Sequence, residues 1–263
     1  MDFGKIVSNS FKYPFRNIKK LPILFILFIL VSIIPIGIVY DNKYVMAIGV
    51  FAFFLFILLV PGYLFSFVKV GLNESSLFPS LSFGNTIYDT LRVLALRIVY
   101  MIVPTAVFFI ALSTLGTSSP DMLSNLNIPS FLLNVGLIIV VVLVTYILFE
   151  ILLFFAKARL AYLNSLSEAV KIHKVIGDIR TIGIFNIIKW LIFMAVLVVV
   201  ASVVSAWVIA IPYVGFLIYI AVVIPLLESI GNYSLGLLYS NIVDNDDDLD
   251  RLEREIESLK YLN

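Results

Sequence analysis

Two glutamates, Glu150 and Glu228, lie inside long apolar runs of the chain, where a charged side chain is most costly. Placing such a group at the middle of a bilayer costs roughly 2.5–3.5 kcal/mol on insertion scales, so it usually faces the interior of a helix bundle. The two acids follow about 28 Å and about 22 Å of predicted helix, which puts them at similar depth. Two nearby carboxylates can share a proton, and this predicts a proton- or cation-binding pair.

Each glutamate also has a purely structural interpretation. Glu150 can extend towards the headgroups and pair with Lys157 or Arg159. Glu228 can form a hydrogen bond with a nearby Ser, Asn or Tyr side chain. The sequence leaves both interpretations open.

A possible helix break lies next to Glu228. Pro225 removes a backbone donor, and Gly231 permits another helix to approach closely. Interrupted helices line the binding sites of many transporters, so this pattern favours a site. Proline and glycine are also ordinary residues of transmembrane helices, which is the structural alternative.

Basic residues cluster after the fourth apolar run. On an interfacial helix such residues attract anionic lipid headgroups, at about 1 kcal/mol each. The rule that basic residues stay on the cytoplasmic side explains the same cluster without a lipid site. The candidate headgroup contacts are Lys157, Arg159, Lys171 and Lys174.

The composition places the chain in the membrane. Of its 263 residues, 62% are apolar and 13% are charged, against roughly 45–50% and about 25% in soluble proteins. This excludes a soluble enzyme, a nucleic-acid-binding protein and a secreted disulfide scaffold. Cysteine is absent and His173 is the single histidine. We therefore expect no metal, no cofactor and no enzyme activity.

Uncharged runs predict six transmembrane helices, because about 20 residues cross a bilayer. The last run is long enough for two helices, and the break is expected at Ile211-Pro212-Tyr213. The fold class is therefore an all-α polytopic membrane bundle, with a polar loop between the third and fourth helices at 115–127. The runs are Leu21–Tyr40, Tyr44–Val68, Ile98–Pro120, Met122–Phe149 and Trp190–Val243.

Basic residues predict the orientation. All but one of the 18 Lys and Arg residues lie on the same side of the predicted spans, and Lys43 is the exception. Cytoplasmic loops carry such an excess, so we expect a multi-pass protein of the cell membrane with both termini in the cytoplasm.

Amphipathic segments precede the first, third and fifth predicted spans. Apolar residues recur at helical spacing in 3–11, 83–94 and 169–179, which is typical of helices lying in the headgroup layer. Ser165 and Glu168 have the spacing of a capping box at the start of the last segment. We divide the chain into an amphipathic N-terminal segment (1–20), a six-span domain (21–243) and an acidic cytoplasmic tail helix (244–263).

The tail predicts a partner-binding helix. Leu249, Leu252, Ile256 and Leu259 have the 3-4-3 spacing of an amphipathic stripe. Acidic residues from Asp244 mimic a calcium-binding loop, but Leu249 stands where that loop needs glycine. We expect the tail to dock on the basic cytoplasmic face or on a protein partner.

Several short motifs occur along the chain: Phe3-Gly4, Tyr13-Pro14-Phe15, Gly62-Tyr63, Phe83-Gly84 and the run Ile98-Val99-Tyr100 that leads to Pro104. Together they resemble the prokaryotic domain-of-unknown-function 4013 family. A weaker similarity connects 158–179 to the membrane domains attached to some glycerophosphodiesterases. The resemblance implies a polytopic membrane protein and supplies no activity.

Three functions follow from these observations. The first is a non-enzymatic accessory or scaffold protein that acts through its interfacial helices and tail. The second is a small proton- or cation-coupled transporter using Glu150 and Glu228. The third is a membrane-embedded lipid enzyme.

Overall fold

Helices form nearly all of the chain. The computed structural model describes residues 3–116, 128–212 and 214–260, with side chains at 3–114, 135–212 and 214–242. Within these residues there is no strand. Six helices are long and apolar enough to cross a membrane. The predicted all-α bundle of six transmembrane helices is confirmed.

Five spans are single helices, and the sixth contains a π turn. The first five spans are α2, α3, α4, α5 and α8, and the sixth runs from α9 through the π turn into α10. The elements are α1 Phe3–Arg16, α2 Leu21–Val39, α3 Lys43–Leu72, α4 Phe83–Gly116, α5 Ile128–Leu163, α6 Leu166–Ala169, α7 Ile172–Ile182, α8 Ile184–Ile209, α9 Gly215–Ile218, the π turn Tyr219–Val223 and α10 Ile224–Lys260.

Tight turns join two pairs of spans on one side of the bundle. The Asn42 side chain caps α3 by accepting from the backbone N–H groups of Tyr44 and Val45, at 3.0 Å and 3.2 Å. The predicted break near Pro212 is confirmed, because α8 ends at Ile209 and α9 begins at Gly215. α1 leads into α2 on the opposite side, and α10 leaves the bundle there. We call this side the terminal face: α2, α4 and α8 begin there, and α3 and α5 end there.

Two of the three predicted interfacial segments are separate helices. α1 precedes the first span, and α6 with α7 precedes the fifth. The prediction of a separate helix over 83–94 was wrong. These residues form the first turns of α4, which continues without a break to Gly116. The difference has a local cause. Gly183 has φ +90°, which separates α7 from α8, whereas nothing between 94 and 98 interrupts the helix.

The core lies towards the terminal face. Fully buried side chains such as Phe65, Leu96, Phe155 and Leu238 come from the halves of the second, third, fourth and sixth spans nearest that face. Glycines allow the closest crossing. A Cβ at Gly71 would overlap the carbonyl oxygen of Tyr233, and one at Gly236 would overlap that of Val68. α3 and α10 therefore pack backbone against backbone.

The rest of each span presents apolar side chains outwards. In the most apolar window of α5 only 6% of residues are buried within the protein, against 44% in the sixth span. Lipid chains would solvate these exposed apolar surfaces. The sixth span is thus the one that the other helices surround most.

The tail begins as an extension of the sixth span. α10 passes Val243 without interruption and continues to Lys260. The predicted loop was 115–127; Leu115 and Gly116 end α4. Residues 117–127 and the last three residues, 261–263, lie outside the described residues. So do the tail side chains from Val243 onwards, which carry the predicted stripe and the calcium-loop mimic.

Candidate functional site

Glu150 has a basic partner that the sequence did not indicate. Its Oε1 accepts from Arg97 Nη2 of α4 at 3.0 Å and from the Tyr146 hydroxyl, one turn earlier on α5, at 2.8 Å. The Glu150 side chain is 20% exposed and that of Arg97 is 56% exposed. The guanidinium therefore forms the outer part of this ion pair, with the carboxylate behind it.

Glu228 is linked to Lys157 through an amide. The Asn232 amide nitrogen donates to Glu228 Oε2 at 3.1 Å and to the Glu228 carbonyl at 2.8 Å. The oxygen of the same amide accepts from Lys157 Nζ. This chain of hydrogen bonds connects α5 to α10 within the membrane. Asn232 is one of the residue types expected to partner Glu228 in its structural role.

The two glutamates therefore have separate partners. Glu150 contacts Arg97, whereas Glu228 reaches Lys157 by way of Asn232. A proton shared between two carboxylates requires direct contact, and no hydrogen bond among the described side chains joins Glu150 to Glu228. The proton- or cation-binding pair stays a prediction.

The segment around Pro225 changes helix type without unwinding. The π turn Tyr219–Val223 ends just before α10, and the backbone N–H of Ile224 donates to the carbonyl of Tyr219. Such wide turns often mark functional places in helices. Pro225 is the second residue of α10, and it is buried. At Gly231 a Cβ would lie 2.8 Å from the Met194 side chain, so this glycine allows α8 to pack closely.

Arg159 is committed to groups within the protein. Its Nη1 donates to both carboxylate oxygens of Asp178 on α7, at 2.6 Å each, and its Nε donates to the Glu168 carbonyl at 3.2 Å. The Tyr239 hydroxyl of α10 donates to the same carboxylate. The side chains of Arg159 and Asp178 are only 12% and 13% exposed. This cluster fastens α5, α7 and α10 together.

Lys171 and Lys174 remain at the surface. Their side chains are 43% and 41% exposed, and both donate to the carboxylate of Glu168, at 2.5 Å and 2.6 Å. These two hydrogen bonds lower the pKa of Glu168 from its usual 4.5 to about 2. Of the four candidate headgroup contacts, these two are the more accessible, because Lys157 and Arg159 bond inwards.

The predicted capping box at Ser165 is wrong. Ser165 occupies the N-cap position of α6, but its side chain makes no capping hydrogen bond. Its hydroxyl contacts Ser167 instead, at 3.1 Å, and the Glu168 carboxylate is held by the two lysines. Charge-assisted hydrogen bonds are stronger than neutral ones, which explains why the lysines hold the carboxylate.

A second buried ionic group was missed by the sequence reasoning. Asp89 of α4 pairs with Lys69 of α3 at 2.6 Å and lies 3.8 Å from Arg92. Arg92 also donates to the Asn164 side chain after α5, at 2.6 Å. Asp89 was detectable as the one acid of an amphipathic stretch, three residues before an arginine. We call Asp89, Arg92, Arg159 and Asp178 the charged layer. Asp89 and Arg92 are buried, and Arg159 and Asp178 are partly buried near the same face.

The charged layer fixes helices in place. Its hydrogen bonds connect α3, α4, α5, α7 and α10 in one region of the molecule. Among the described residues, no group of three or more His, Asp or Glu side chains is placed to hold a metal ion. The arrangement is therefore suited to setting the relative positions of the helix ends.

Comparison with known families gives one match. Residues 45–212 match the family described as "Protein of unknown function (DUF4013)", which is more than half of the chain. The chain belongs to this family. The matched region contains Arg97, Glu150 and all four residues of the charged layer. α1, the first span and the sixth span lie outside it. No curated protein and no solved structure matches the chain.

Proposed function

We propose that this protein is a non-enzymatic accessory or scaffold protein of the cell membrane that presents its C-terminal helix to a protein partner. The observation that carries the proposal is the continuity of α10 from Ile224 to Lys260. The sixth span ends at Ile242, so about 18 further residues extend the helix by about 27 Å. An amphipathic helix that projects this far from a membrane bundle can bind a groove on a partner protein through its apolar face.

The base of this helix is firmly held. The Tyr239 hydroxyl donates to Asp178 of the charged layer, and the Tyr233 hydroxyl donates to the Ser75 carbonyl at 3.2 Å. The close crossing with α3 at Gly236 lies between these two contacts. Rigid presentation lowers the entropy cost of binding, which supports a scaffold role. The exposed Lys171 and Lys174 would add contacts with anionic headgroups around the same base.

Photo-crosslinking at single tail positions tests this proposal. A photoreactive residue at Leu252 or Ile256, on the apolar stripe, should form adducts with a partner in intact membranes. The same residue at Arg254, about half a turn away, should not. Asn245→Pro keeps the binding residues but interrupts the helix, so it should abolish the adducts.

Three outcomes would contradict the scaffold role. Equal adducts at all three positions would indicate random collision, and no adducts would indicate the lack of a partner. Adducts to the protein's own chain would mean that the tail folds back onto the bundle. Deleting 244–263 is the control, since the six spans should still insert.

A second function, proton- or cation-coupled transport, is favoured by the contacts of Glu228. A carboxylate, an amide and an amine lie in sequence across α10 and α5, next to a π turn. If this chain serves a solute path, Glu228→Gln should fold normally and abolish pH-dependent flux in reconstituted vesicles. If Glu228 is structural, Gln should behave like the wild type while Leu destabilises the bundle. A wild-type-like Gln variant in a working flux assay would exclude this second function.

The proposed orientation places both termini in the cytoplasm. The support is the distribution of Lys and Arg along the sequence. A reporter that works only in the cytoplasm should be active when fused after Asn263, and an export-dependent reporter should be silent. The reverse pattern would place the charged layer on the outer side and overturn the proposal.

A further inference from the structure

A long apolar cleft runs between α4 and α5 and ends at the Arg97–Glu150 ion pair. The cleft has a volume of about 550 Å³, within the usual range for ligand sites. Its lining extends along α4 from Arg97 to Leu112, and along α5 from Tyr146 to Ile138. The α4 distance corresponds to about 22 Å of helix, long enough for an extended lipid chain.

The ion pair gives the cleft one polar end. Arg97 and Tyr146 line the cleft there, and both donate to the carboxylate of Glu150. More than half of the Arg97 side chain is exposed, while Glu150 lies behind it. The accessible charge at this end of the cleft is therefore positive, and the rest of the lining is almost entirely apolar.

The position of Arg97 suits a headgroup. Arg97 lies five residues beyond Arg92 of the charged layer, or about 8 Å deeper along α4. A long arginine side chain at this depth turns towards the headgroup region, where it can bind phosphate through several N–H donors. If a lipid chain lay in the cleft, the phosphate of the same lipid would lie next to Arg97, at the end of the cleft nearest the terminal face.

We propose that the α4–α5 cleft binds one phospholipid with a net negative headgroup, whose phosphate is held by Arg97 and one of whose chains fills the cleft. Charge complementarity selects the headgroup, and the apolar lining selects the chain. This site is separate from Lys171 and Lys174, and it does not depend on the tail helix.

Native mass spectrometry of the full chain in detergent tests the site, with dioleoyl phosphatidylglycerol as the probe and dioleoyl phosphatidylcholine for comparison. The wild type should retain one phosphatidylglycerol at concentrations that leave phosphatidylcholine unbound. Arg97→Gln should weaken phosphatidylglycerol binding about tenfold, because a hydrogen-bonded charge pair is lost. Lys189→Gln, which removes another exposed charge from a span near the terminal face, should leave it unchanged.

Two further variants separate the site from a general charge effect. Ala111→Phe fills the apolar part of the cleft and keeps Arg97, so it should also weaken binding. Glu150→Gln removes the competing anion and should maintain or strengthen it. The proposal is overturned if Arg97→Gln and Ala111→Phe retain the lipid as the wild type does, if Lys189→Gln weakens binding as much as Arg97→Gln, or if phosphatidylcholine binds equally well.

Discussion

Individual charged pairs in this protein differ in how deeply they are buried, and that decides what each contributes. The Arg159 and Asp178 side chains are nearly inaccessible, whereas Lys171 and Lys174 are more than two-fifths exposed. Removing one partner of a buried pair leaves an uncompensated charge, while exposed pairs contribute little. We therefore expect the charged layer to dominate the electrostatic part of stability.

Replacing Arg159 tests this difference. Arg159→Gln should lower the free energy of unfolding by about 3–5 kcal/mol, because Asp178 and Tyr239 lose their cation in a buried position. Chemical unfolding in detergent micelles measures the loss. Arg180→Gln on exposed α7 surface is the matched control and should have almost no effect. Equal effects of the two variants would show that the Arg159 pair is not buried in the membrane-bound protein.

Glu168 predicts a response to acid. Its pKa falls to about 2 in the folded protein from 4.5, because Lys171 and Lys174 hydrogen-bond the carboxylate. A depressed pKa contributes stability above the unfolded value, and this is lost as the pH falls from 4.5 towards 2. The unfolding temperature of the wild type should therefore fall more steeply over this interval than that of Glu168→Gln. Parallel curves would contradict the two lysine contacts.

The sequence predicted which residues are unusual better than it predicted their partners. Glu150 and Glu228 were recognisable as acids in apolar runs, and an Asn was among the expected partners of Glu228. Arg97 was not recognisable as the partner of Glu150, and Lys157 was not recognisable as the partner of Asn232. Arg97 lies 53 residues before Glu150, and Lys157 lies 75 residues before Asn232. Such pairings depend on which helix faces lie together, and a single sequence with no family comparison does not specify this.

At the scale of the elements, small residues decide which helices approach most closely. Gly71 and Gly236 bring α3 and α10 into backbone contact, and at Gly62 the backbone N–H of α3 donates to the Thr90 hydroxyl of α4 at 2.8 Å. Small residues at such crossings are the usual basis of helix association in membranes. α3 therefore packs closely against both α10 and α4.

Gly236→Ala tests the α3–α10 crossing. The new methyl group would overlap the Val68 carbonyl, so we expect a loss of about 1–3 kcal/mol in the free energy of unfolding. Gly177→Ala on α7 is the control, since its Cβ would meet nothing within 4 Å and the higher helix propensity should add up to about 1 kcal/mol. If both variants stabilise the protein, α3 and α10 do not pack backbone against backbone at Gly236.

Helix type was predictable from the sequence, and helix boundaries were less so. Apolar runs of sufficient length identified all six spans, and proline at 212 identified the turn between the last two. The amphipathic stretches before the third and fifth spans look alike in sequence. Only the stretch before the fifth span is separated from its span, by Gly183 at a positive φ. A local backbone conformation, which the hydrophobic pattern does not encode, made this difference.

At the scale of the whole molecule, the two sides of the bundle differ. Buried aromatic and charged residues join the helices near the terminal face, while the opposite parts of the spans offer apolar surface to lipid. α10 passes through the joined region and continues beyond it to Lys260. We propose that the joined face holds this helix in a fixed direction outside the membrane.

Distance measurement between spin labels tests that claim most directly. The chain has no cysteine, so cysteines introduced at Asn73 and at either Asp250 or Glu257 are the only labelling sites. Both label pairs should give narrow distributions in lipid nanodiscs, and the Glu257 pair should be longer by close to 10 Å, the length of about two helical turns. Asn245→Pro should broaden both. Broad, overlapping distributions in the wild type would contradict the claim that α10 is held as a rigid, projecting helix.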